Sequence, residues 1–273
     1  MLLPRILTAL VLLALAIPAI FFAPVWVWGL FSLSFLAVGA WEWSRLLDPA
    51  RSSRSVALGL LGVGLCLLVA RESGWMSALH GAPLLALAAF FWVGFAGARL
   101  RHHQSRGGGA ALAAILLLAC WLALYELRRL GPEVLITAMA IVWIADVGAY
   151  FAGKAFGRRK LAPSISPGKS WEGAVAGAVL VIFLGVGAAL HDGLAAALPA
   201  RMYSEWGPFI ASMVLGGLVA LSIVGDLHES LLKRQAGVKD SGRLLPGHGG
   251  VLDRIDALLP TMPVILLLHL MLR

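Results

Sequence analysis

The sequence predicts an all-α, polytopic integral membrane protein with about nine transmembrane helices and a cytoplasmic N-terminus. Three observations carry that prediction. Of 273 residues, 60% are hydrophobic and 13% are charged, whereas an ordinary soluble domain is about 25% charged. The apolar residues fall in long runs separated by short polar breaks, and a bilayer-spanning helix needs roughly 20 such residues. The runs lack the alternation of barrel strands, so helices are the remaining way to satisfy backbone groups in hydrocarbon.

The elements follow in order. Residues 6–23 carry Arg5, an apolar core and small residues in the manner of a signal peptide, but with eight further spans the run is expected to stay as the first helix. Pro24 is the one break before 25–43. Spans at 55–70, 83–98, a short 110–125, 134–152, 173–190, 207–225 and 258–272 complete the set. The chain is expected to form a single transmembrane domain over 1–273, with helices in 1–130 as scaffold and 134–273 as the catalytic half. Its longest polar stretches, 153–172 and 226–257, then lie on the cytoplasmic side.

Orientation follows from charge, because Lys and Arg concentrate in cytoplasmic loops. Nine spans put 17 of the 22 Lys and Arg on the side of the N-terminus, leaving Arg71, Arg128, Arg129, Arg201 and Arg273 opposite. Basic loops orient helices and meet anionic headgroups, which accounts for Arg45, Arg51, Arg54, Arg99, Arg101 and Arg106. No nucleic acid is expected, since these cations are scattered over short loops without stacking aromatics. Cys66 and Cys120 both fall in spans, against a disulfide framework or thiolate metal site. Most tryptophans lie near span ends, as interfacial anchors, and the Gly173–Gly177 spacing suits close helix packing.

The chemistry-bearing residues gather in the two polar stretches. If the eighth helix runs on through Arg234, then Asp226, Glu229, Ser230 and Lys233 share one face. Asp253 and Asp256, three apart, line one side of the ninth helix start. Carboxylates at two helix ends, with substrate phosphates, form a ligand set suited to magnesium. Between them Gly247, Gly249 and Gly250 flank His248, a setting in which backbone amides can approach an anion. Lys233, Arg234, Lys239, Arg243 and Arg254 supply positive charge. The same segment could instead be a membrane re-entry turn with snorkelling cations. His228 and Glu229 do not extend to HExxH, because position 232 is Leu. In the earlier stretch Asp146 is an ionisable residue inside a span, a functional candidate by default, with Tyr150 as its packing partner otherwise. The "GKS" at 168–170 is no P-loop, since position 163 is Pro and not Gly. Ser166, Lys169 and Ser170 stand at the mouth of the seventh helix, with Ser170 placed to cap it and Glu172 placed to suit its dipole.

The run Ser230, Leu232, Lys233, Arg234, Lys239, Asp240, Gly242, Leu245, Pro246, His248, Gly249, Gly250, Val251, Asp253, Arg254, Ile255, Asp256 resembles the signature of the phosphatidate cytidylyltransferases, or CDP-diacylglycerol synthases. Asp146 through Gly173 resembles the D-x-GAY-x-x-G and SPKKTWEG stretches of the same family, departing at Gly168 where a second lysine is expected. The resemblance implies a nucleotidyltransferase of phospholipid biosynthesis in a bacterial inner membrane. It would transfer CMP from CTP to phosphatidate, giving CDP-diacylglycerol and pyrophosphate. Its partners would be the two substrates and the bilayer, with a homodimer as candidate assembly. Magnesium is the implied cofactor, with a monovalent cation as candidate second ion.

The expected metal ligands are Asp226 and Asp253, with Asp256 and Asp240 next, as ligands or as partners of Arg254 and Lys239. Lys233, Arg234, Lys239, Arg254 and His248 complete the expected catalytic set. Asp146, Ser166, Lys169, Ser170, Gly249 and Gly250 are expected to bind substrate, with Lys169 the phosphate contact that Gly168 cannot be. Two other readings compete. A CDP-alcohol phosphotransferase requires a DGxxAR run that is absent here. An ion-coupled transporter would use Asp146 and Asp226 along a cation path, but gives no reason for the glycine loop and its cations; a purely structural subunit fails likewise.

Overall fold

The computed structural model describes residues 2–48 and 54–272. Arg51 and Arg273, both used in the charge count, lie outside the described residues. Among the described residues nine helices account for the nine expected spans: α1 Leu2–Phe21, α2 Val25–Leu47, α3 Arg54–Glu72, α4 Ala78–Arg101, α5 Gly109–Leu130, α6 Pro132–Phe156, α7 Trp171–Ala189, α8 Leu198–Gln235 and α9 Leu252–Met271. All but α1 are long and apolar enough to cross a membrane, and the described apolar stretch of α1 is the shorter Arg5–Phe21. The protein is membrane-embedded and nearly all-α.

Contacts between loops gather basic segments at one end of the bundle. There Ser105 bonds Gln235 at 2.7 Å, Arg234 reaches the Ile165 carbonyl at 3.4 Å, and Arg5 reaches the Gly247 carbonyl at 2.9 Å. The opposite end holds a separate ionic cluster, in which Arg71 forks onto Glu126 at 2.5 and 2.8 Å while Tyr125 and Arg129 meet Glu72. A fork-to-carboxylate geometry suits arginine.

The core lies between α2, α5, α8 and α9, where Trp28, Leu36, Leu117, Trp121, Leu215 and Met262 are buried. Gly173 and Gly177 are packing glycines as expected. A Cβ at either position would stand 2.6 Å from a carbonyl of α6, that of Ala149 or Ala145 respectively.

Three features differ from the sequence expectation. First, α8 begins nine residues before the expected span and breaks at Gly207, whose φ of 77° precedes Pro208. The 28 residues after that break extend about 42 Å at 1.5 Å per residue, longer than a hydrocarbon core of about 30 Å. The excess carries Asp226 to Lys233 toward the headgroup level. Second, the segment 153–172 contains an antiparallel hairpin, β1 Lys160–Ala162 and β2 Ser166–Ser170. Ile165 at its turn is 5% exposed and packs with Leu227 and Leu231 of α8, pinning the hairpin to the helix. Third, α4 contains a π-helical turn at Phe91–Phe95. With Trp43, the Phe91 and Trp92 rings of that turn surround His228 at centroid distances of 5.4–5.9 Å.

Candidate active site

Ser170 caps α7 as expected, its hydroxyl accepting from the Gly173 amide at 3.2 Å. Glu172 serves a local role, accepting from the Arg158 and Arg159 amides at 3.1 Å. These contacts fix the hairpin against the start of α7, so that Ser166 and Lys169 face α6 and α8. The result is a cavity of about 730 Å³ lined by Asp146, Tyr150, Ser166, Lys169, Ser170 and Asp226. All four substrate-binding candidates of the earlier stretch therefore share one chamber. Lys154 and Lys160, which sequence reasoning left as topology charges, line it too and are exposed.

The helical continuation of α8 is present, and its polar face forms the expected cluster. Lys169 Nζ lies 2.6 Å from Asp226 Oδ2, and Ser230 donates to Asp226 Oδ1 at 3.2 Å. One turn on, Lys233 Nζ sits 2.5 Å from both Glu229 Oε2 and Asp253 Oδ1. Asp253 Oδ2 accepts from the Gly250 amide at 2.9 Å and from the Ser241 amide and hydroxyl at 3.0 Å. Asp256 lies near enough to Asp226 and Glu229 to repel both. Asp146, Asp226, Glu229, Asp253 and Asp256 thus face two lysines, Lys169 and Lys233.

Among the described residues no three acidic, histidine or cysteine side chains converge to hold a metal alone. Magnesium is usually held by one or two carboxylates together with substrate phosphates. Asp253 is a carboxylate of this site, with Oδ2 on the Gly250 and Ser241 donors and Oδ1 on the Lys233 ammonium.

Residues 3–272 match the sequence profile described as "Cytidylyltransferase family". The chain belongs to the cytidylyltransferase family. It is 40% identical to the phosphatidate cytidylyltransferase of Pseudomonas aeruginosa, over 97% of this chain and 95% of that one. The phosphatidate cytidylyltransferase of Haemophilus influenzae is 36% identical, with 96% of each chain covered. That of Brucella suis is 35% identical over 93% of this chain and 88% of its own. The cluster on α6 to α9 therefore belongs to a nucleotidyltransferase.

Within this cytidylyltransferase several candidates make contacts with the chain's own backbone and side chains. In the glycine loop the His248 and Gly249 amides both donate to the Leu245 carbonyl, at 2.9 and 3.1 Å, and the Gly250 amide donates to the Asp253 carboxylate. Gly249 and Gly250 also shape the loop itself. Gly249 has a φ of 84°, and a Cβ on Gly250 would overlap the Ser241 hydroxyl.

Arg254 holds the His248 carbonyl at 2.7 Å, while Arg234 bonds a hairpin carbonyl. Both arginines brace backbone. Lys239, Asp240 and Arg243 line a second cavity of about 790 Å³ with Trp41 and Arg45, outside the chamber of Asp226.

Sequence reasoning missed Glu42. This carboxylate of α2, in the half expected to be scaffold, is fully buried and accepts from Ser241 Oγ at 3.0 Å and the Leu252 amide at 2.7 Å. Its signal was the one that marked Asp146, an ionisable residue inside a predicted span.

Proposed function

We propose that this nucleotidyltransferase transfers the cytidylyl group of CTP to phosphatidate, releasing pyrophosphate, at the cluster formed by α6, the hairpin, α8 and the start of α9. The single observation that carries the reading is the pairing of Lys169 with Asp226 and of Lys233 with Asp253 at one end of the bundle. The relatives' names supply the substrates; the charges supply the chemistry. A phosphate oxygen of the lipid attacks the α-phosphorus of CTP. The new P–O bond forms as the bond from that phosphorus to the α,β-bridging oxygen breaks, and pyrophosphate leaves with the electron pair. Phosphatidate is already anionic, so no strong base is required. Catalysis consists of positioning two anions and neutralising the leaving group.

Lys169 and Lys233 are the cations that neutralise. Asp226 and Asp253 hold them in place and are the proposed carboxylates for magnesium, which when bound would screen the phosphate charges and orient the triphosphate. Asp146 and Tyr150 lie on the α6 wall, where a lipid headgroup would enter laterally from the membrane. The proposed location is a bacterial inner membrane with this end of the bundle in the cytoplasm, as the basic loops gathered there support.

The test is pyrophosphate release from CTP by purified protein, with and without phosphatidate and magnesium, beside Asp253→Asn. Dependence on both additions, formation of CDP-diacylglycerol and collapse in the variant are expected. Intact CTP in a folded sample that moves ions across sealed vesicles would turn the reading to a transporter.

A further inference from the structure

We propose that Glu42 is a positioning residue for the transfer reaction, aiming Asp253 through Ser241. The inference rests on the placement of Asp253 in the site. Glu42 stands on α2, some 200 residues away in sequence from the loop it meets, with no exposed surface. A buried carboxylate is costly unless it is hydrogen-bonded, and this one is bonded to two parts of the catalytic segment at once. Its Oε2 atom caps the start of α9 through the Leu252 amide, where unsatisfied amides and the helix dipole both favour an anion. The same oxygen takes the Ser241 hydroxyl.

Ser241 in turn is fixed on Asp253 Oδ2 through its amide and hydroxyl, both at 3.0 Å. A hydroxyl carries one proton, so two carboxylate oxygens within 3.0 Å of Ser241 Oγ share one donor. The hydroxyl orientation that reaches Asp253 is therefore set in part by Glu42. Asp253 Oδ1 is left toward Lys233 and the site.

Two glycines close the space around this carboxylate. A Cβ on Gly242 would overlap Glu42 Oε1, and one on Gly250 would stand 2.6 Å from Oε2. The carboxylate is thus confined between two turns that precede Asp253 in the chain. An ordinary helix cap would not need contact with both turns. Supporting groups of this kind set the orientation of a ligand or a catalytic side chain, and their loss reduces activity about 10- to 100-fold.

The experiment compares Glu42→Ala, Glu42→Gln, Ser241→Ala and the double variant Glu42→Ala/Ser241→Ala with Asp253→Asn, in detergent. Steady-state release of pyrophosphate gives kcat and the KM for CTP. Hydrogen exchange at residues 250–253 of the metal-free protein gives the order of the segment independently of turnover. Glu42→Ala is expected to lower kcat about 10- to 100-fold, with a smaller change in KM and faster exchange at 250–253. Glu42→Gln, whose amide oxygen can still accept, should recover most of the loss. The double variant should fall no further than Glu42→Ala, because both changes cut one path.

Wild-type kcat in folded Glu42→Ala, or losses that multiply in the double variant, would overturn the positioning role and leave a helix cap. If Glu42→Ala does not accumulate, Glu42→Gln and Ser241→Ala carry the comparison: an unchanged kcat in Ser241→Ala overturns it. Full turnover in Asp253→Asn would instead overturn the assignment of Asp253 beneath the proposal.

Discussion

Replacing Lys233 by Met tests the electrostatic core of the site. The ammonium lies 2.5 Å from both Glu229 and Asp253, with side-chain exposures of 13%, 4% and 8% respectively. Removing one partner of a buried ion pair costs about 3–5 kcal/mol, because the remaining charge is left without compensation. Asp253 retains the Gly250 and Ser241 amides and a share of the Ser241 hydroxyl, so most of the effect falls on Glu229. The lower bound, about 3 kcal/mol, is therefore expected for Lys233→Met.

Glu229→Gln alone leaves Lys233 on Asp253 and should cost about 1 kcal/mol, the net worth of one hydrogen bond. Combined, the two substitutions remove the uncompensated charge, and the double variant should be more stable than the sum predicts by about 1–2 kcal/mol. Unfolding of the four proteins by SDS in mixed micelles, followed by tryptophan fluorescence, reads this coupling directly. Activity should not follow stability: both Lys233 variants should lose at least about 100-fold in kcat, the order of effect for one lost charge-stabilising donor. Additivity within about 0.5 kcal/mol would refute the reasoning, since uncoupled residues behave that way.

Two further outcomes concern the hairpin. Ile165→Ala should destabilise its docking on Leu227 and Leu231 by about 2–4 kcal/mol, raising the KM for CTP more than it lowers kcat; limited proteolysis at 158–170 checks the loosening. A Cβ at Gly168 meets nothing within 4 Å, so Gly168→Lys should leave thermal stability within about 0.5 kcal/mol and is expected to tighten the apparent affinity for CTP, checked by titration of the initial rate.

The legibility of the site followed from how local its determinants are. The polar face of Asp226, Glu229, Ser230 and Lys233 could be inferred because a helix repeats every 3.6 residues, and the cap at Ser170 because capping is decided within one turn. The hairpin was not visible: β1 and β2 are short, and their anchor Ile165 looks like any isolated apolar residue until α8 is beside it. At 247–250 glycines beside a helix start suggested an anion cradle, while only the fold shows the His248 and Gly249 amides on Leu245 and the Gly250 amide on Asp253.

The sequence by itself determined the membrane class, the nine helices and the end of the bundle that bears the charges, because hydropathy and loop charge act along the chain without reference to fold. It also supplied the resemblance whose family membership the comparisons bear out. Tertiary structure decided which charged groups meet. Lys169 finds Asp226 across 57 positions, Lys233 finds Asp253 across 20, and Glu42 finds Ser241 across 199. Such pairings depend on how helices pack side by side, and packing brings together residues whose separation in sequence carries no signal. That is why an apparently structural α2 supplies a buried carboxylate to the catalytic end.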